Sequence, residues 1–348
     1  MKKTVIILGA GASADYGFPL WAGLKQQMLD LDLDKELSET LNLRPEEVEA
    51  HKTAFGEFQQ HLTREPDATL DRIAFLIDQP KSKHLRPTGH YLINLAGYLL
   101  SKIECEKQDG KWVSEFQTVL LDYLASQSAQ FEAEQNHLQN LTVISLNYDR
   151  VFERFVSNGF FKRLIEHSEY DPPSLAFSIN FSRNNRLSVL KPHGYISGLA
   201  YDNGVSHVGM NNDLVIVGGH TQGIRHPGND LAIGYGEHQL LCREAFLRMG
   251  RHMYVVDERD VSDYQAANQA LMNAEQVFCL GLSPAGLCQS SFAFKESQKV
   301  YLSNKGEEVS GIAACKGPAD FESLGTRSER MNSSDFPAKF KSLTFDPT

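Results

Sequence analysis

The sequence predicts an α/β fold, a doubly wound parallel sheet with an inserted helical subdomain. Three observations carry it. Thr4 to Leu8 is a β-branched run that ends at Gly9-Ala10-Gly11, and Leu20, Leu24, Met28 and Leu31 then recur at helical spacing, which reads as strand, tight turn, helix. From about Asp34 to His137 the pattern is helical almost throughout, punctuated by Pro45, Pro66, Pro80 and Pro87. Strand signals then return between helical patterns, and buried strands alternating with helices define a parallel sheet covered on both faces.

Those later strands are Leu141 to Ser145, Ser188 to Lys191, Leu214 to Val217, His252 to Val256, Gln276 to Leu280 and Val300 to Leu302. Gly236 to Met249 and Val261 to Ala274 read as intervening helices. The expected organisation is a Rossmann-like core over 1–36 and 138–304, a helical insert over 37–137 and a C-terminal appendage over 305–348, with a strand at Gly311 to Cys315. There is no internal repeat and no low-complexity tract.

Composition narrows the function. The chain has 348 residues, 34 basic against 44 acidic, and a net charge of −10. A negative field repels phosphate backbones, and no run of five or six basic residues offsets it, so direct nucleic-acid binding is not expected. Nothing approaches the ~18 consecutive apolar residues that span a bilayer. Lys2-Lys3, Val5 to Leu8 and Ala12-Ser13-Ala14 imitate a signal peptide, but Gly9 and Gly11 interrupt an apolar stretch that is already short. Cys105, Cys242, Cys279, Cys288 and Cys315 form no CxxC pair, so they are expected as packed thiols in a cytoplasmic protein, without a disulfide framework or zinc ribbon.

Gly9-Ala10-Gly11-Ala12-Ser13-Ala14 has the form G-x-G-x-x-A between a strand and a helix, where backbone N–H groups approach a pyrophosphate. A merely tight turn explains the glycines as well. A dehydrogenase would next need a strand ending in Asp or Glu about 20 residues on. The chain runs into the helical block instead, and Asp30, Asp32 and Asp34 read as its solvated face.

The turn continues through Asp15-Tyr16-Gly17-Phe18-Pro19-Leu20-Trp21, and Ser145-Leu146-Asn147-Tyr148-Asp149 and Lys191-Pro192-His193-Gly194 follow on later strand ends. Taken in order, these fragments resemble the sirtuin superfamily, whose elements are GAGxS…GxP, an N-x-D after a strand, and a His-Gly. Gly281-Leu282-Ser283 stands where sirtuins carry a Gly-x-Ser on the adenosine side, and Asn304 lies near a further ribose-contacting Asn. The likeness covers about 1–21 and 141–304.

The resemblance implies cleavage of the nicotinamide–ribose bond of NAD, with Asn147 and His193 catalytic. It places Gly9, Ala10, Gly11, Ala12, Ser13, Asp15, Gly17, Trp21, Asp149, Gly281 and Ser283 around the dinucleotide, with no metal. The residue chemistry agrees. The reaction builds an oxocarbenium-like cation at the ribose, which calls for a proton acceptor and a group that orients water. A neutral His serves as the first, and an Asn, which donates and accepts without adding charge, as the second. Each fragment alone also suits a bland role: Asn147 to Asp149 a strand-end turn and helix cap, His193 a hydrogen-bonded loop histidine.

Protein-deacylating sirtuins carry a four-cysteine zinc module after the His-Gly, and no cysteine lies here between His193 and Cys242. Val217-Gly218-Gly219-His220 replaces the usual F-G-E, and Leu20-Trp21-Ala22 replaces Asp-Phe-Arg. With the helical insert, these departures look like the sirtuin-like NAD hydrolases of bacterial anti-phage defence. That family implies NAD depletion on infection and either a homo-oligomer or a separate activating subunit, such as a HerA-type ATPase. A protein deacylase or ADP-ribosyltransferase, and a non-catalytic sensor of NAD or ADP-ribose, are the alternatives.

Between Gly218 and Gly236, His220, His226 and Asp230 fit no standard zinc spacing, and Arg225 is a candidate phosphate contact. Asp67 and Asp71 read as capping or solvated residues, and Tyr16 and Phe18 as packing residues.

Overall fold

The structure is a computed structural model that describes residues 1–14, 17–68, 70, 73, 89–106, 111–127, 137–149, 152, 187–193, 199–202, 205–208, 217–221, 224–227, 246–247, 253, 262–303, 306–317, 319–324 and 336–345. In chain order the elements begin β1 (Thr4–Leu8), α1 (Ala10–Ala14) and α2 (Trp21–Leu29). A π-helical turn (Lys35–Thr40), α3 (Pro45–Arg64), α4 (Gly89–Glu106) and α5 (Lys111–Gln127) make up the helical block. Next come β2 (Leu141–Ser145) and β3 (Ser188–Leu190), then two hairpins, β4 (Leu199–Asp202) with β5 (Val205–Val208) and β6 (Val217–Thr221) with β7 (Ile224–Pro227). The chain continues through α6 (Ser262–Asn273), β8 (Gln276–Leu280), α7 (Pro284–Gln289), β9 (Lys299–Leu302), α8 (Gly306–Lys316), β10 (Asp320–Ser323) and α9 (Phe336–Thr344).

Six strands form one parallel sheet in the order β10-β9-β8-β1-β2-β3. Counted along the chain, these six stand in the order 3-2-1-4-5-6, the arrangement of doubly wound dinucleotide-binding sheets. The winding direction reverses between β1 and β8, and ligands of such sheets sit outside the carboxyl ends of the strands at that reversal.

Period-two alternation sends successive side chains to opposite faces. Ile6, Leu8, Val143, Phe278, Leu280 and Tyr301 join the core shared with the helical block and α9. Val5, Ile7, Ile144, Val277, Cys279, Val300 and Leu302 pack under α6, α7 and α8. Both faces are therefore dry, which is why the strands read as unbroken apolar runs.

Within the block, α3 starts with Pro45 at its first turn and Glu47 accepting from the Arg44 N–H at 2.9 Å. Val48, His51, Phe55 and Phe58 then recur along its buried face. The block is no separate layer. Its Trp112 is fully buried against Phe152 and the α9 residue Phe336, and its indole N–H donates to the Ala12 carbonyl of α1 at 3.2 Å.

Several expectations need correction. Gly311 to Cys315 is helical within α8, since a further crossover is needed to bring β10 back parallel to β9. The stretch after residue 305 is thus no appendage: β10 is an edge strand of the sheet and α9 is built into its core. Gln276 adds a polar tie, donating to Thr4 and Thr344 at 2.9 Å each. Cys288 and Cys315 are joined in a disulfide, because α7 and α8 are successive crossovers on one face and bring their Cα atoms to 5.8 Å. Cys279 is a free buried thiol. Of the expected strand Leu214 to Val217 only Val217 lies among the described residues, where it opens β6, and of His252 to Val256 only Met253 does. Helix Gly236 to Met249 lies outside them, except for 246–247.

His51 shows what burial does to a titratable group in this core. It is fully buried between Tyr91 and Phe246, its Nδ1 bonds the Glu47 carbonyl at 2.6 Å, and its Nε2 has no hydrogen-bond partner. Desolvation outweighs that backbone bond and the nearby Glu47 charge and lowers its pKa from 6.5 to about 4. The unfolded chain therefore takes up this proton first, and stability falls as pH drops from 6.5 towards 4, by up to about 3 kcal/mol. Urea titrations at pH 7 and pH 4.5 should show a larger loss for the wild type than for His51→Leu.

Candidate functional site

The turns after β1 and β8 meet backbone to backbone. The Gly9 N–H donates to the Leu280 carbonyl at 2.8 Å and the Gly11 N–H to the Gly281 carbonyl at 2.9 Å. A Cβ on Gly9 would stand 2.7 Å from the Gly281 carbonyl oxygen, and one on Gly11 2.8 Å from the Gly281 Cα. Gly281 itself sits at φ +65°, and a Cβ there would lie 2.0 Å from the Ala12 nitrogen. The two glycine amides are spent on the neighbouring turn, and glycine is required because one backbone rests on another. Gly281→Ala should cost about 3 kcal/mol or more through strain and overpacking, read as a lowered urea midpoint.

At the end of β2, Asn147 closes the next contact. Its Nδ2 donates to the Gly9 carbonyl and to Ser13 Oγ, both at 2.8 Å. Ser13 in turn donates to Asp149 Oδ2 at 2.7 Å. Asn147, Ser13 and Asp149 are 9%, 4% and 5% exposed, so the network is dry on one side and meets solvent through a cavity on the other. With both amide hydrogens given away, the carboxamide oxygen of Asn147 remains as its acceptor.

That cavity, about 270 Å³, is lined at its polar end by Ala10, Ser13, Asn147, Asp149 and His193. The rest of its lining is apolar or aromatic: Phe18, Pro19, Trp21, Leu24, Leu70, Leu100, Leu146 and Tyr148. Trp21 is steadied by its indole N–H on the Ala68 carbonyl at 2.9 Å. The His193 ring lies 6.4 Å from that of Tyr148. Burial lowers the His193 pKa from 6.5, opposed by a hydrogen bond to the Leu146 backbone, so the ring is neutral at pH 7.

Six residues named from sequence thus line one cavity: Ala10, Ser13, Trp21, Asn147, Asp149 and His193. Gly9, Gly11, Ala12, Gly17, Gly281 and Ser283 are not in its lining. Gly9, Gly11 and Gly281 hold the turns together, and Ser283 caps α7 by accepting from the Gly286 N–H at 3.0 Å. Asp15, Tyr16, Asp71, Asp230 and Asn304 lie outside the described residues, as does Gly194. His220, Arg225 and His226 fall on β6 and β7, and Asp67 is exposed.

Sequence reading missed the apolar lining, because Leu70 and Leu100 belong to the helical block and give only a helix-core signal. Phe18, read as packing, both packs and lines the cavity. It also missed Ser303, whose Oγ accepts from the Gly281 N–H at 2.8 Å, and the buried Lys191. Compared with known proteins, the chain matches no protein-family model and no curated protein.

Ser13→Ala would leave a buried carboxylate and a buried amide each without one partner. It should lower stability by about 1–3 kcal/mol in urea, whereas Ser13→Thr, which keeps the hydroxyl, should lose less.

Proposed function

We propose that this protein is an NAD hydrolase that cleaves the nicotinamide–ribose bond to give nicotinamide and ADP-ribose. The observation that carries the reading is the meeting of Asn147 and His193 on one cavity, from strand ends far apart in the chain. The ordered fragments around Gly9, Asn147 and His193, similar to those of the sirtuin superfamily, supply the substrate. At about 270 Å³ the cavity falls below the ~300–1,000 Å³ of whole-ligand pockets, which favours its taking only the nicotinamide riboside end of a dinucleotide.

In this mechanism the C–N glycosidic bond breaks and its electron pair passes to the pyridinium nitrogen, which leaves as neutral nicotinamide. The cation left on the ribose is attacked by water. His193, neutral and with one nitrogen unprotonated, takes the proton that water loses. The Asn147 oxygen accepts from that water or from a ribose hydroxyl, while its amide hydrogens hold the carboxamide in place. The buried carboxylate of Asp149 supplies negative charge beside the developing cation. Trp21 and Tyr148 present apolar faces to the nicotinamide ring.

The biological role that follows is NAD depletion in the cytoplasm during phage infection, as a homo-oligomer or with a separate activating subunit such as a HerA-type ATPase. Metabolites measured in cells expressing wild type or His193→Ala, with and without infection, test it. The expected result is NAD loss with rising ADP-ribose in the wild type and a drop of about 10²–10⁴ in that rate for His193→Ala. NAD loss that persists in His193→Ala overturns the roles; a modified protein in place of free ADP-ribose overturns the reaction. Because His193 must be neutral to act, kcat/KM should rise with pH and reach its plateau through a limb centred below pH 6.5.

A further inference from the structure

Lys191 follows β3 by one residue and is 3% exposed. Its Nζ donates to the main-chain carbonyl of Asp149. Removing an ammonium from water is costly unless it is well bonded, so an apolar side chain of similar length would serve packing alone better.

The position explains the cation. β3 pairs with β2 at only three positions, ending at Ile144↔Leu190. Beyond that, no ladder sets the turn that carries His193 against the turn that carries Asn147. The bond from Lys191 to the Asp149 carbonyl crosses instead, and His193, two residues on, lines the same cavity as Leu146. Pro192 between Lys191 and His193 is buried, with its φ fixed by the ring. Asp149 is held by Ser13, Ser13 by Asn147 and Asn147 by Gly9, so Lys191 is the last link of a chain that starts at β1. A charged donor on a four-carbon arm makes that link about twice as strong as a neutral one.

We infer that Lys191 is the positioning residue of the site: its ammonium, docked on the Asp149 carbonyl, sets where the His193 imidazole stands relative to the Asn147 carboxamide. The inference rests on the roles given above to those two residues in NAD cleavage.

The test compares Lys191→Met and Lys191→Arg with wild type in two assays: nicotinamide release from NAD, and NMR titration of the His193 ring without substrate, assigned with His193→Gln. Lys191→Met should lose about 100-fold in kcat, the scale of a misplaced catalytic group, with KM little changed. Its His193 should titrate closer to 6.5 than in wild type, as the ring leaves its buried seat. Lys191→Arg should recover much of both. If Lys191→Met does not fold, Lys191→Gln, which keeps an N–H donor on a shorter arm, takes its place. An unmoved His193 titration overturns the inference, as does a kcat loss that only tracks the folded fraction and that arginine does not rescue. A wild type that releases no nicotinamide defeats the hydrolase reading by itself, and the titration still decides the role of Lys191.

Discussion

The head of the sheet depends on one close approach, the backbone of the turn after β1 lying directly on the backbone of the turn after β8. Three glycines make it, and none tolerates a side chain: Gly9 and Gly11 face Gly281, whose own φ lies in the left-handed region. Two main-chain hydrogen bonds close the contact. With these two turns locked together, the Gly9 carbonyl becomes a fixed point from which the adjacent β2 turn is hung through Asn147. The glycine motif is thus first a packing device between neighbouring strand ends, and the cavity forms on the β2 side of it.

From that fixed point the polar groups form a graded series. Asn147 and Ser13 are neutral, Asp149 is a buried carboxylate, and Lys191 is a buried ammonium held on the Asp149 peptide. Each is mostly withdrawn from water, and each has a partner, which is what lets charges persist at such depth. The apolar lining draws on α2 and the helical block, so the cavity exists only where the sheet and the block share a core.

Most of the sheet was legible because its strands are continuous apolar runs covered on both faces, as at Thr4 to Leu8 and Gln276 to Leu280. Asn147 and His193 were legible because short polar fragments at strand ends carry their own signature. What escaped had a physical reason in each case. Gly311 to Cys315 carries a short apolar core that fits strand or helix, and only the need for a crossover before β10 decides between them. The disulfide depends on two helices meeting across a strand, which spacing alone does not encode. Leu70 and Leu100 look like any helix-core leucine until the fold turns them towards Trp21.

The topology also shapes how the chain must assemble. β1 is synthesised before both of its neighbours in the sheet, which come much later along the chain, at Leu141 and at Gln276. Until the second emerges, the run Thr4 to Leu8 is an apolar segment with one whole edge unpaired. Pairings this distant along the chain are slow to form. A nascent polypeptide of this design carries an incomplete central strand until Gln276 to Leu280 has been made, the circumstance in which holding chaperones matter most.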